Sequence, residues 1–322
     1  MTRAIRPRGD RGSRRLVTGM VAVLAVGVPL LAVLYFFDQY RDPGPSLAQR
    51  GIVAAEEAVR AAPNAVGARI ALATVYLEAK RYRDAAAQYD EVLRVQATNR
   101  LALLGRGEAY QAIGDLDAAA ADYQALVDAA TGTEMERIDP QLESAYYNLG
   151  AIELARAAPS RALEQLEKAI AINPADADAL NLYAAARIQL GDLAGAIEPL
   201  RRVIAMVPVG WCEPYAQLAR AYAGGGDEQG ERYANAMDAF CEKRPAEAKA
   251  ALEPLTTGSH ATDALLGLAL IAEDAGDREA AAAYYTRVLH ADPTDFNAVS
   301  GLSRVGGAPP SVAPLAVASP GA

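Results

Sequence analysis

Residues that hold metals or build β-cores are scarce in this chain. Two cysteines and two histidines in 322 residues leave little material for a zinc or haem site. Hydrophobic residues reach 52%, yet there are only four Phe and one Trp, so alanine and leucine carry the apolar content. An all-β core needs more β-branched and aromatic side chains than this. Lysine occurs only at Lys80, Lys168, Lys243 and Lys249, and the net charge of −9 argues against a general nucleic-acid binder. Catalytic signatures are missing too: there is no H-E-x-x-H, no G-x-S-x-G and no phosphate loop. Gly224-Gly225-Gly226 lacks the Lys and Ser/Thr a phosphate loop requires and reads as an inter-helix turn. His260 and His290 fall in a loop and at a helix end, where exposed surface is expected. The sequence therefore predicts no enzyme, no metal, no cofactor, no nucleic-acid partner and no small-molecule substrate.

What is present begins at the N-terminus. Residues 1–15 carry six arginines against the single Asp10. Residues 16–37 then run without a charge, LVTGMVAVLAVGVPLLAVLYFF. As a helix this stretch would span ~33 Å, close to the hydrocarbon thickness of a bilayer. Tyr35, Phe36, Phe37 and Tyr40 sit at its far end, where aromatic rings favour the membrane interface. The run ends in YFFDQYRD, without the small-x-small site of a cleaved signal peptide. A retained transmembrane anchor over 16–37 is expected, with the basic residues 1–15 in the cytoplasm and the remainder across the membrane. The part that crosses is strongly acidic.

Beyond the anchor the signal is periodic. Pro174 and Pro208 are 34 residues apart and close the similar runs AIAINP and VIAMVP. Gly114-Asp115, Gly191-Asp192, Gly226-Asp227 and Gly276-Asp277 recur midway through comparable stretches. A period of 34 with two helices per unit lets small residues bring the helices close while Tyr or Leu fills the gap. In residues 143–176 the packing set is Tyr146, Leu149, Gly150, Ala162, Leu166 and Ala169. Comparable sets recur over 66–99, 100–133, 177–210 and 262–295. The stretch 212–245 starts the pattern with Tyr215, Leu218, Ala219 and Tyr222 and then loses it. Arg69, Glu153 and Arg187 replace apolar residues in their units, so a more solvated first helix is expected there. Residues 131–142 read as a loop near Asp139-Pro140, 245–255 as a short extra helix, and 46–61 and 296–305 as capping helices. Residues 306–322, with four prolines, read as a disordered tail.

These units resemble the tetratricopeptide repeat family over about three quarters of the chain. The resemblance implies an all-α, right-handed superhelical solenoid over 46–305, preceded by one transmembrane helix. It also implies an inner groove built from fixed positions of each first helix. Here those positions give Ile70, Thr74 and Leu77, then Glu108 and Gln111, then Tyr147 and Leu154. Asn181, Ile188 and Gln189 follow, and Arg220, Leu266, Leu270 and Glu273 complete the wall. The groove lacks the basic set with which some members clamp a carboxylate. A guest segment held by apolar contacts and by amide hydrogen bonds from Asn148 and Asn181 is expected instead.

The two cysteines flank the irregular unit. Cys212 and Cys241 lie at nearly equal distances on either side of the turn near Gly226. Two antiparallel arms of equal length bring such ends together, so a disulfide is one reading and two separate buried thiols the other. The expected function is a membrane-anchored, extracytoplasmic scaffold for protein–protein interaction or complex assembly. The alternatives are a self-associating structural protein, or an assembly factor similar to the tetratricopeptide subunit of cytochrome c maturation.

Overall fold

Four Gly-Asp dipeptides of the solenoid each close one helix and open the next. Gly114, Gly191, Gly226 and Gly276 adopt left-handed φ of +74° to +90°, which costs glycine no steric strain. The aspartate that follows caps the next helix. The carboxylates of Asp115, Asp192, Asp227 and Asp277 accept the N–H groups of Ala118, Gly195, Gly230 and Ala280.

The computed structural model describes residues 20, 24–36, 46–132 and 136–307. The expected cytoplasmic segment 1–15, both ends of the 16–37 run and residues 308–322 of the expected tail lie outside the described residues. The chain divides into two units, residues 1–62 and 63–322. In the first, residues 24–36 form helix α1, whose apolar side chains, from Leu24 to Phe36, are almost all exposed. No helix among the described residues is long and apolar enough to cross a membrane. Helix α2, Leu47–Ala61, starts at Ser46, whose hydroxyl accepts the Gln49 N–H, and buries none of its residues.

The second unit is helical throughout, with no strand among the described residues. Four hairpins come first: α3 (Val66–Glu78) with α4 (Tyr82–Val95), and α5 (Arg100–Ile113) with α6 (Leu116–Ala130). Next come α7 (Pro140–Ala155) with α8 (Pro159–Ile172), and α9 (Ala177–Gln189) with α10 (Leu193–Met206). Then follow α11 (Glu213–Gly225), α12 (Glu228–Cys241), α13 (Pro245–Leu252), α14 (Ala261–Asp274), α15 (Arg278–Ala291) and α16 (Phe296–Arg304). The stretch expected as a loop is shorter than the sequence suggested. Residues 136–138 make a 3-10 turn, and Asp139 caps α7, which opens at Pro140 because proline suits the first helical turn.

Small residues fix the packing within and between hairpins. A Cβ on Gly107 would fall 2.6 Å from the Tyr123 ring, and one on Gly150 2.5 Å from Leu166 Cγ, both across a hairpin. A Cβ on Gly105 would strike the ring of Tyr89, in the hairpin before. Tyr123, Leu126, Leu166, Leu200 and Tyr285 are fully buried by this arrangement. Burial of each such side chain contributes about 1.5–3 kcal/mol.

First helices touch along one wall: α3 meets α5, α5 meets α7, α7 meets α9, and α9 meets α11. The series then changes phase. The next such contacts join α12 to α14 and α14 to α16. Helix α12 is thus the second arm of the hairpin with α11 and the first arm of a hairpin with α13. The turn between α12 and α13 confirms this. Lys243 has φ +65°, its N–H reaches Phe240 O, and the Arg244 N–H reaches Ala239 O. Gly226 and Asp227 make the same pair of bonds to Ala223 and Tyr222. This double role explains why the 212–245 pattern fades in its second half: α12 carries first-helix residues, and Ala248, Leu252 and Leu255 supply the buried second-helix set.

Candidate binding surface

The inner wall of the first series is built from the exposed sides of α3, α5, α7 and α9. Ile70, Leu77 and Leu154 are half-buried, and Thr74 and Gln189 are exposed. Thr74 Oγ1 lies 3.0 Å from Ile70 O and 3.4 Å from Tyr89 Oη. Gln111 accepts the Tyr123 hydroxyl at 2.9 Å, so its carbonyl is committed to a buried tyrosine. Burial pushes the Glu108 carboxyl above the usual range. It also pushes up the Tyr147 phenol, with the nearby carboxylates of Asp178, Asp176 and Glu143 adding to the effect. Glu143 itself is raised to about 7, by burial first and then by Asp176.

Two expected wall residues lie inside the fold. Ile188 is 6% exposed and packs in the core with Ala184, Leu200 and Leu218. Asn181 is 2% exposed, and its Oδ1 finds no hydrogen-bond partner among the described residues. The Asn148 amide donates to Ser144 O at 2.8 Å, within its own helix. The expected amide ladder for a guest is therefore not formed by this pair. Arg220 is exposed on α11. The polar residues that replaced apolar ones find local partners: Arg69 bonds Gln88 at 3.0 Å, Glu153 pairs with Arg156 at 2.9 Å, and Arg187 pairs with Asp192.

Cys212 and Cys241 form a disulfide, with Cα atoms 5.5 Å apart. It ties the start of α11 to the end of α12. Beside it opens a cavity of about 690 Å³, lined by Pro208, Val209, Met237, Phe240, Leu270 and Phe296 among others. Sequence reasoning reached Leu270 and Glu273 of this cavity but missed Phe240, Phe296 and Lys243, because the phase change at α12 has no Gly-Asp marker. Long-range contacts also join the helices near this region. Arg201 of α10 holds Asp263 of α14 through two bonds of 2.8 and 3.1 Å, and Asn297 Nδ2 donates to Ala205 O at 2.8 Å.

His260 contradicts the expectation of an exposed surface residue. It is 7% exposed, with Nε2 2.8 Å from Asp227 Oδ2 and Nδ1 3.1 Å from Asp263 Oδ2. Its ring stacks parallel to Tyr233 and meets Tyr222 edge-on. It replaces apolar packing at the junction of α12 and α14 with a polar knot. His290 is exposed, as expected. No group of three or more His, Cys, Asp or Glu side chains among the described residues could hold a metal ion.

Antiparallel helix pairs stacked in sequence order, with one series of helices forming a wall, define an α-solenoid. The sequence profile of the tetratricopeptide repeat matches residues 70–133, 147–210 and 233–296, more than half of the chain. The third match begins within α12, in the phase that the Lys243 turn sets. The chain belongs to the tetratricopeptide repeat family. Among solved structures it is similar to YrrB, a tetratricopeptide protein with an unusual peptide-binding site. That likeness has a TM-score of 0.50 and 19% identity, and covers 62% of this chain and 97% of the other. It is also similar to the C-terminal part of a repeat protein from Cytophaga hutchinsonii, with TM-score 0.50 and 18% identity over 83% and 97% of the two chains. These likenesses are of fold. No curated protein matches the chain significantly.

Proposed function

We propose that the protein is a membrane-tethered scaffold whose solenoid lies outside the cytoplasm and holds a polypeptide segment along the inner wall of a right-handed superhelix. Tetratricopeptide repeats are protein-interaction scaffolds, so a binding role is favoured over a catalytic one. The observation that carries the binding reading is the wall itself. Thr74, Gln189 and the half-buried Ile70, Leu77 and Leu154 remain open along the inner sides of α3, α7 and α9, and an extended guest can cover them. The tether reading rests on the arginines ahead of the uncharged 16–37 run and on the exposed apolar side chains of α1. The disulfide supports the compartment, since such bonds persist where the surroundings are oxidising.

Photo-crosslinking residues placed at Thr74 and Gln189 should capture a protein partner in intact cells, whereas one placed at Glu164, exposed on α8, should not. Equal capture from both faces would reject the inner-wall reading. A membrane-impermeant thiol reagent should label Ser311→Cys in spheroplasts; labelling only after lysis would reverse the topology.

A further inference from the structure

The cavity at the phase change continues the inner wall onto the first helices α12, α14 and α16, so an occupant here rests on the binding role proposed for that wall. Its floor is apolar, from Met237, Phe240 and Leu270. Phe296 is 78% exposed and Val209 49% exposed, so the mouth presents apolar surface that the chain itself leaves uncovered. The charges on its rim fall into two kinds. Arg304 and Glu273 satisfy each other through bonds of 2.7 and 3.0 Å. Lys243 and Asp274 also line the cavity, and neither side chain has an ion-pair or hydrogen-bond partner among the described residues. Asp274 closes α14, where a negative charge meets the negative end of the helix dipole and gains from a cation nearby. Lys243 stands at the end of α12, on a backbone turn that fixes its position.

We propose that this cavity binds a polypeptide segment in which a large apolar side chain lies between an acidic and a basic residue. The apolar anchor enters between Phe240, Leu270 and Phe296, the acid meets Lys243 and the base meets Asp274. The volume is in the range of pockets that enclose one ligand of a few residues. An acyl chain is a poorer occupant, because it would cover Asp274 with hydrocarbon and leave the carboxylate unpaired. The disulfide forms part of the wall and carries the 208–212 segment against α12, so an intact bond keeps the cavity's shape.

Three blocked peptides test this with the full-length protein in detergent: Gly-Glu-Phe-Leu-Lys-Gly, Gly-Glu-Phe-Leu-Glu-Gly and Gly-Lys-Phe-Leu-Lys-Gly. Binding is read by calorimetry and by the fluorescence of Trp211, the single tryptophan, which adjoins the disulfide. The mixed-charge peptide should bind at least fivefold more tightly than the other two. Asp274→Lys should shift the preference to the acidic peptide, and Lys243→Glu to the basic one. Phe296→Ala should weaken all three at least tenfold. All three side chains are exposed, so these variants keep the fold. The proposal fails if the three peptides bind alike, or if none binds at millimolar concentration. It also fails if dodecanoate fills the site without displacement by peptide, or if Phe296→Ala instead abolishes a self-association of the chain. Crosslinking at Thr74 and Gln189 reports on the α3 to α9 part of the wall, so its failure is read separately from this test.

Discussion

Gly267 of α14 lies against Leu252 of α13, and a Cβ at that glycine would come within 2.9 Å of Leu252 Cδ1 and 2.6 Å of Met237 Sδ. Gly105 stands in the same relation to Tyr89, and Gly301 to Tyr285. Each is a glycine on a first helix that admits the large side chain of the preceding second helix. The recurrence identifies α13, short as it is, as a true second helix and sets the phase of the last units.

Filling that contact is expected to cost stability. Gly267→Val forces Leu252 and Met237 aside and should lower unfolding free energy by about 1–3 kcal/mol. Gly225→Ala is the control, since nothing lies within 4 Å of its Cβ position and it sits in helix α11. It should raise stability by about 0.5–1 kcal/mol. Urea unfolding of both variants checks the pair.

Loss of the disulfide should be costly in equilibrium unfolding. Cys212 and Cys241 are 29 residues apart, and closing such a loop contributes about 3–4 kcal/mol in the chain-entropy account. The double variant Cys212→Ser with Cys241→Ser should show that loss, and a reducing agent should reproduce it in the unaltered protein. Identical unfolding midpoints with and without reductant would show that the bond does not constrain the chain.

Glu143 makes stability depend on pH. Its folded carboxyl is raised to about 7 by burial and by Asp176, so the folded chain keeps a proton that the unfolded chain releases. Its contribution is complete below the ordinary carboxylate range and is lost as pH rises towards 7. Because the group is partly open to solvent, the expected loss is on the order of 1 kcal/mol. Glu143→Gln should flatten the decline in melting temperature between pH 4.5 and 7.5.

His260 should resist replacement by an apolar ring. Both its nitrogens lie within hydrogen-bond distance of carboxylate oxygens, Nε2 of Asp227 and Nδ1 of Asp263. His260→Phe keeps the stacking on Tyr233 but leaves Asp227 and Asp263 without that partner, at a cost of about 1–3 kcal/mol. If the variant melts with the parent protein, the polar knot carries no stability.

The hairpins were legible wherever a turn used glycine and aspartate, because the left-handed residue and the helix cap have few alternatives. Gly114-Asp115 and Gly191-Asp192 show this. Lys80, Ala157 and Lys243 take the same backbone conformation without glycine. At Lys80 and Ala157 the spacing of neighbouring units still located the turn. At Lys243 it did not, since only 17 residues separate it from Gly226 and the period of 34 was broken. The exposure of the individual wall residues was not legible one by one. Whether Asn181 or Thr74 stays open depends on how closely adjacent helices approach, and that distance is set by side chains far away in sequence. His260 was misread for a related reason, because its partners Asp227 and Asp263 come together only through the fold.

Repeat arrays ordinarily part between units, because each unit leans only on its neighbours. The double membership of α12 removes that seam at the middle of the C-terminal half. Unfolding α12 removes an arm from both α11 and α13, and the covalent link ties α11 to α12. The last three hairpins should therefore exchange amide protons as one block, with slow exchange reaching back to α11, rather than in a gradient that rises smoothly from the end.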